Sequence, residues 1–422
     1  MKNKFLLSGI AALALAASAS AQVVVNVTGA NAFRSAAVDT IIASYGAGLT
    51  GVAHTGTAGT LASLRGATRS IFRGTFPGSG DTIIRCTWTG SVEGIRDVAV
   101  PQNQTFLPQS ALTGSGTSYT GPNSVTAYHT STASTQSAAA KFAFSDVYPT
   151  TSPYDVSGLT DTVVGVIVFV PVANAGVSAN LTNITSQQFK ALWGSGFQKV
   201  SLLTGVATDT NNIYATGRHD LSGTRSTYLA ESGYGVATPV NQWKPTVSGL
   251  TISTLQNWPV GDGINASAVW NGDIAGNGGF QSGNSIAAAM QATTNAVQLK
   301  NSAGTNIGSP VAVNIITVTS LNDALTAITG ASGAPAKALS YNGVGVTPAN
   351  PLSAADTAKV ARGAYTMWGY EHLMYSGDLS AVQNQAFFDQ MTGNIATNLG
   401  TSGIPITSMF VSRGDDGGLV AP

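Results

Sequence analysis

The sequence predicts an α/β fold with mainly parallel sheets, divided into two lobes, and three observations carry that expectation. The stretch TVVGVIVFVPVANAG (162–176) is a continuous, largely β-branched run of the kind that fills the middle of a sheet buried on both faces. Helical and strand patterns then alternate through TSQQFKALWGSG, STYLAESG, GNSIAAAMQATT, AVNIITV and LNDALTAIT, as strands joined by covering helices do. The chain of 422 residues also exceeds the length at which one core packs efficiently.

The elements follow in order. MKNKFLLSGIAALALAASASA places Lys2 and Lys4 before an apolar run from Phe5 to Ala17 and the small residues Ala19-Ser20-Ala21. This is the pattern of a secretory signal peptide over residues 1–21, with the mature chain starting at Gln22. The apolar run is too short to cross a bilayer, no cysteine follows it to take a lipid, and no later stretch reads as a transmembrane helix. A periplasmic or secreted location after cleavage near Ala21, with no stable membrane insertion, is the expectation.

VVVNVTGANAFRSAAVDTIIASYGAG reads as a strand, a turn at Thr28–Asn31 and a helix ending near Gly46. TIIRCTW is a second strand, and its Cys86, the only cysteine, reads as a buried thiol rather than a nucleophile. Residues 101–138 are rich in Ser, Thr, Gln, Asn and Gly and read as a long surface excursion. KFAFSDVYP is a short alternating strand running into a turn.

Composition narrows the function. Apolar residues make up 43% of the chain, Lys plus Arg equals Asp plus Glu at 19 each, and only 9% of residues are charged. That balance gives no electrostatic case for nucleic acid, an anionic membrane surface or a polyanionic partner. Gly-x-Ser-x-Gly, Ser-x-x-Lys, His-Glu-x-x-His and phosphate-loop sequences are absent, so a hydrolase is poorly supported. His54, His129, His219 and His372 are scattered without ligand spacing and read as structural. Trp193, Trp243, Trp258, Trp270 and Trp368 read as packing residues rather than a carbohydrate platform.

Against this sparsely charged background, GRHDLSGTR (217–225) gathers two arginines, an aspartate and two hydroxyls. NNIYATG before it is a strand and STYLAESG after it a helix, so the segment is a strand-to-helix turn. Such a turn directs the free amides of Gly223, Thr224 and Arg225 outward with the positive end of the helix dipole behind them. Ser222 and Thr224 add hydroxyl donors, Gly223 permits close approach, and Arg218 offers a planar fork to a tetrahedral oxyanion. The same turn also reads as Ser222 capping a helix while Arg218 pairs with Asp220.

The segment resembles the Arg-x-Asp-x-Ser-Gly-Thr motif of the phosphate-binding proteins of bacterial phosphate ABC transporters, within the type II periplasmic binding protein superfamily. Arg218, Asp220, Ser222, Gly223 and Thr224 all fall in register. VTGANAFRSAAVDTIIASY is similar to the family's opening strand, loop and first helix, which places Ala32 and Phe33 where a backbone amide meets the ligand. Ala32 stands where the family often has a hydroxyl residue. WTGSVEGIRDV resembles the turn that supplies a serine, here Ser91, although Glu93 would repel an anion unless its side chain faces away. FAFSDVYP resembles the strand end whose aspartate, here Asp146, accepts a hydrogen bond from a protonated ligand oxygen. Read without companions, Asp146 is a turn or N-cap aspartate after a strand.

The resemblance implies a two-lobed type II periplasmic binding protein fold with two crossover strands. The lobes are expected to comprise residues 22–170 plus 346–422 and residues 171–345. It further implies a non-catalytic, cofactor-free and metal-free monomer that captures inorganic phosphate between the lobes and hands it to an ABC permease. The expected ligand-binding set is Ala32, Phe33, Ser91, Asp146, Arg218, Asp220, Ser222, Gly223 and Thr224. An ionised carboxylate has no proton to offer fully deprotonated sulfate, whereas hydrogen phosphate still carries one, so Asp146 would discriminate between them. A secreted surface or matrix protein that keeps the scaffold, and a binder of another oxyanion, remain alternatives.

Overall fold

The computed structural model describes residues 23–114, 116–131, 134–262, 273–330, 333–400 and 402–422. The expected leader, its cleavage site and Trp270 lie outside these residues. The fold is mixed α/β, and among the described residues one sheet of 13 strands runs through both lobes. From one edge its path is Phe197–Lys199, Asn212–Ala215, Val313–Ser320, Leu159–Ala173, Trp368–Ser376, Phe142–Ser145, Val23–Gly29, Gly80–Thr87, Arg69–Phe76, Leu49–Thr55, Thr126–Thr130 and Thr117–Thr120. Lys337–Ala338 pairs off this path with Leu159–Ala173.

The apolar run at the centre of the chain is the first crossover. The early part of Leu159–Ala173 pairs antiparallel with Trp368–Ser376, down to Val168 opposite Trp368. From Phe169 onward it pairs with Val313–Ser320 instead. One strand thus belongs to two lobes, which explains why it is apolar throughout its second half and fully buried there. Trp368–Ser376 carries the chain back. Between them, residues such as Val360, Tyr365 and Met367 pack in the same buried cluster as Phe189, Ile286 and Ile316.

Each lobe has its own core. Phe33, Ile41, Phe72, Phe142 and Phe387 anchor one; Ile167, Phe189, Trp193, Ile286, Ile316 and Leu321 anchor the other. The expected parallel pairing occupies the lobe centres, where Val23–Gly29 lies between Gly80–Thr87 and Phe142–Ser145, and Asn212–Ala215 lies beside Val313–Ser320. The strands around these centres are largely antiparallel. Short turns such as residues 77–79 send the chain straight back, and a crossover strand has to run against its neighbours.

Residues 101–138 are not a plain surface excursion. Asn103–Phe106 pairs with Gln136–Ala139, and the hairpin Thr117–Thr120 with Thr126–Thr130 extends the main sheet by pairing parallel with Leu49–Thr55. Phe106, Leu107, Ala111 and Ala127 supply the buried contacts. An edge strand buries little of its surface, so Thr, Ser and Tyr suffice there and the segment carries no strong apolar pattern. Cys86 is fully buried in Gly80–Thr87, and burial pushes its thiol up to about 12, which leaves it inert at neutral pH.

Candidate functional site

The charged turn at 217–225 is buried as a unit. Strand Asn212–Ala215 delivers it, Arg218 forms a parallel bridge to Phe280, and helix Gly223–Glu231 leaves it with Ser222 as N-cap, its hydroxyl accepting from the Arg225 N–H at 3.4 Å. Gln242 braces it by donating to the carbonyls of Arg218 (3.2 Å) and Gly278 (2.7 Å).

The two arginines divide the work. Arg225 clamps the neighbouring loop through Asn277, donating to its carbonyl at 2.6 Å and to its side-chain oxygen at 2.5 Å. Arg218 holds the carbonyls of Phe280 (Nε, 3.1 Å) and Gln281 (Nη2, 2.7 Å) and donates through Nη1 to the Thr224 hydroxyl at 3.4 Å. These bonds fix its guanidinium plane with one edge toward Thr224. Burial lowers the Arg218 pKa, and the charges of Asp323 and Asp146 offset part of that cost.

Thr224 leads to the other lobe. Its hydroxyl donates to Asp146 Oδ2 at 3.4 Å, while the Ser91 hydroxyl donates to Oδ1 and accepts from the Asp146 N–H at 3.3 Å. The Thr227 hydroxyl donates to the Asp146 carbonyl at 3.2 Å. Asp146 stands at the end of strand Phe142–Ser145, and Ser91 opens helix Ser91–Ala99 after Gly90, whose φ of +133° suits glycine alone. Burial raises the Asp146 pKa, opposed by the Ser91 hydrogen bond, the Arg218 charge and Thr224. The lobes touch here, with the Val92 N–H donating to the Leu221 carbonyl at 3.2 Å.

The fold therefore brings Ser91, Asp146, Arg218, Gly223 and Thr224 into one buried cluster, with Ser222 at the base of its helix. Phe33 is buried against Phe144, at 5.9 Å between ring centroids, and opens helix Arg34–Tyr45. Ala32 lines a cleft of about 860 Å³ between the lobes, together with Arg34, Ser35, Ser282, Gly283 and Asp323. Asp220 lies beside His219, at 4.0 Å, and its charge acts on Arg225. His219 accepts from the Leu221 N–H at 3.1 Å, and burial together with Arg218 and Arg225 depresses its pKa, keeping it neutral. Glu93 accepts from Arg96 at 2.9 Å, so its charge is engaged within its own helix.

Three residues of this region escaped sequence reasoning. Arg34 lines the cleft and donates to the Arg65 carbonyl at 2.9 Å; burial lowers it to about 10, with Asp323 opposing and Arg218 adding to the effect. Its position directly after Phe33 was the available signal. Asp323 accepts from Ser320 at 2.8 Å and acts electrostatically on both arginines. Glu371 is fully buried in strand Trp368–Ser376, an acidic side chain inside an aromatic strand.

Chemically, the cluster offers a guanidinium edge, two hydroxyls, a helix N-terminus and one carboxylate acceptor, a set suited to a small tetrahedral anion that carries a proton. Among the described residues no group of three or more His, Cys, Asp or Glu side chains is placed to hold a metal ion, and no helix is long and apolar enough to cross a membrane.

No protein-family model and no curated protein matches the chain. Solved structures to which it is similar include one from Clostridium perfringens, assigned as a phosphate ABC transporter substrate-binding protein with bound phosphate. That match has 14% identity and a TM-score of 0.45, over 91% of this chain and 99% of that one. An ABC-type phosphate transport receptor from Vibrio cholerae matches at 12% identity and TM-score 0.42, over 89% and 96%. A phosphate-binding protein from Stenotrophomonas maltophilia matches at 14% and 0.43, over 92% and 91%. The likeness is one of outline, and the ligand is argued from the residues of this chain.

Proposed function

We propose that the chain is an exported solute-binding protein that captures inorganic phosphate between its two lobes and delivers it to an ABC permease. The observation that carries this reading is the buried chain of contacts from Arg218 through Thr224 to Asp146 and Ser91, which spans the two lobes. Arg218 would neutralise the anion, Ser91, Ser222 and Thr224 would donate hydroxyls, and Phe33 and Gly223 would donate backbone amides. Asp146 would accept the ligand's proton. Because Ser91 and Thr224 both reach the Asp146 carboxylate directly, the anion would enter with the lobes apart and take over those hydroxyls as they close.

A carboxylate in such a place is costly for a binder of fully ionised anions and useful for one that must reject them. The test is calorimetry on the mature chain with phosphate, arsenate and sulfate. Binding of the first two without sulfate supports the reading; binding of sulfate as tight as phosphate, or no response to any oxyanion, overturns it.

A further inference from the structure

Glu371 is a fully buried acid, and neither of its carboxyl oxygens has a hydrogen-bond partner among the described residues. The antiparallel ladder ends with His372 opposite Ser145, so Glu371 lies one residue beyond it, beside the bend that carries Asp146, on the face of the sheet that carries Phe144 and Leu373. On its other flank Glu371 pairs with Gly165, over which Leu399 and Phe33 pack so closely that a β-carbon there would meet them at 3.3 and 3.6 Å. The acid therefore lies beside the bend of Asp146 and on the side of the sheet where Phe33 packs over Gly165, two residues of the anion-binding set.

A buried polar group left without a partner needs an explanation, and a second carboxylate anion beside Asp146 is the costliest form it could take. Of the elements around it, the strand Leu159–Ala173 presents Gly165, the start of helix Arg34–Tyr45 presents Phe33, and the chain at Leu399 adds a leucine. Asp146 is the one charge found to act on it, and it is of the same sign; burial and that charge push Glu371 well above the usual carboxylate range. Neighbouring His372 projects to the opposite face, where it meets Asp161 at 2.8 Å.

We infer that Glu371 serves the anion site as a neutral carboxylic acid whose proton is donated in a hydrogen bond to an unprotonated oxygen of bound phosphate. This rests on the phosphate-binding reading above. The floor of the site then has one carboxyl that accepts, Asp146, and one that donates, Glu371, so the site takes an anion bearing both a proton and free oxygens. Phosphate affinity falls as pH rises through the titration of Glu371, because the ionised form repels the ligand and has nothing to donate.

The experiment is phosphate calorimetry between pH 6 and 9 on the wild type, Glu371→Gln and Glu371→Ala, with infrared difference spectra recorded on adding phosphate. Glutamine keeps a donor without a titrating proton, so Glu371→Gln is expected to show a flatter pH profile of phosphate affinity than the wild type. Glu371→Ala is expected to bind about tenfold more weakly. The wild-type infrared spectrum is expected to show a protonated-carboxyl band that shifts with phosphate and is missing in Glu371→Gln. Wild-type binding with that band absent, or with an unchanged pH profile in Glu371→Gln, overturns the inference and leaves the phosphate reading standing. Failure of the wild type to bind phosphate overturns both.

Discussion

The α-carbon of Gly223 faces Asp146 so closely that a β-carbon added there would overlap the Asp146 carboxylate and the Ser91 side chain. Gly223 belongs to one lobe and the other two residues to its partner lobe, so this glycine sets how far the lobes can close. Its place in the first turn of a helix would accept alanine without strain, since its φ is not positive. Gly223→Ala is therefore expected to fold normally by circular dichroism and to lose roughly 5- to 150-fold in phosphate affinity, the span of a 1–3 kcal/mol overpacking cost. Unchanged affinity would mean the ligand does not bind where these residues meet.

Asp146→Asn replaces an acceptor-only group with one that also donates and carries no charge. The expected result is sulfate binding at least about tenfold tighter than in the wild type, with phosphate weakened, measured by competition calorimetry. Equal rejection of sulfate by both proteins would remove Asp146 from the discriminating role.

Arg413 is buried in the C-terminal segment, stacks on Trp368 at 4.1 Å, pairs with Glu231 at 3.0 Å and donates to the Thr366 carbonyl at 2.9 Å. It ties the end of the chain to the helix that begins at Gly223. Arg413→Ala leaves Glu231 buried without its cation, and denaturant unfolding should show a loss of about 3–5 kcal/mol. Adding Glu231→Gln should restore part of it.

Asp416 accepts from the Tyr148 N–H at 2.8 Å and the Thr151 hydroxyl at 2.5 Å, and burial raises its pKa to about 6. The folded chain thus holds this proton more tightly than the unfolded chain, whose aspartates titrate near 4 (about 3.9). The associated stability is fully present below that value and is lost as pH rises through about 6. Asp416→Asn keeps an acceptor and removes the titration. Its stability relative to wild type should therefore improve between pH 4 and 7 by on the order of 1–3 kcal/mol, read from urea unfolding at each pH.

Much of this was legible in the sequence because the signals were local. The β-branched run announced a doubly buried strand, and Gly223, Ser222 and Arg218 lie within one turn of chain. Glu371 was not legible, because its setting depends on Asp146 more than two hundred residues away, and only the folded sheet, whose ladder ends beside both residues, brings them near. Asp220 was legible only through its motif; its position beside His219 and its charge on Arg225 come from the folded turn. The edge strands of 101–138 were hidden because strands that bury one narrow side need no apolar alternation.

The claim that one anion is held between the lobes by this cluster is tested most directly by an amide NMR titration of residues 22–422. With phosphate, the amides of Phe33, Ser91, Gly223 and Thr224 are predicted to shift together at a single saturating stoichiometry, and with sulfate to stay in place. Shifts confined to other surfaces, or the same response to both anions, would contradict it.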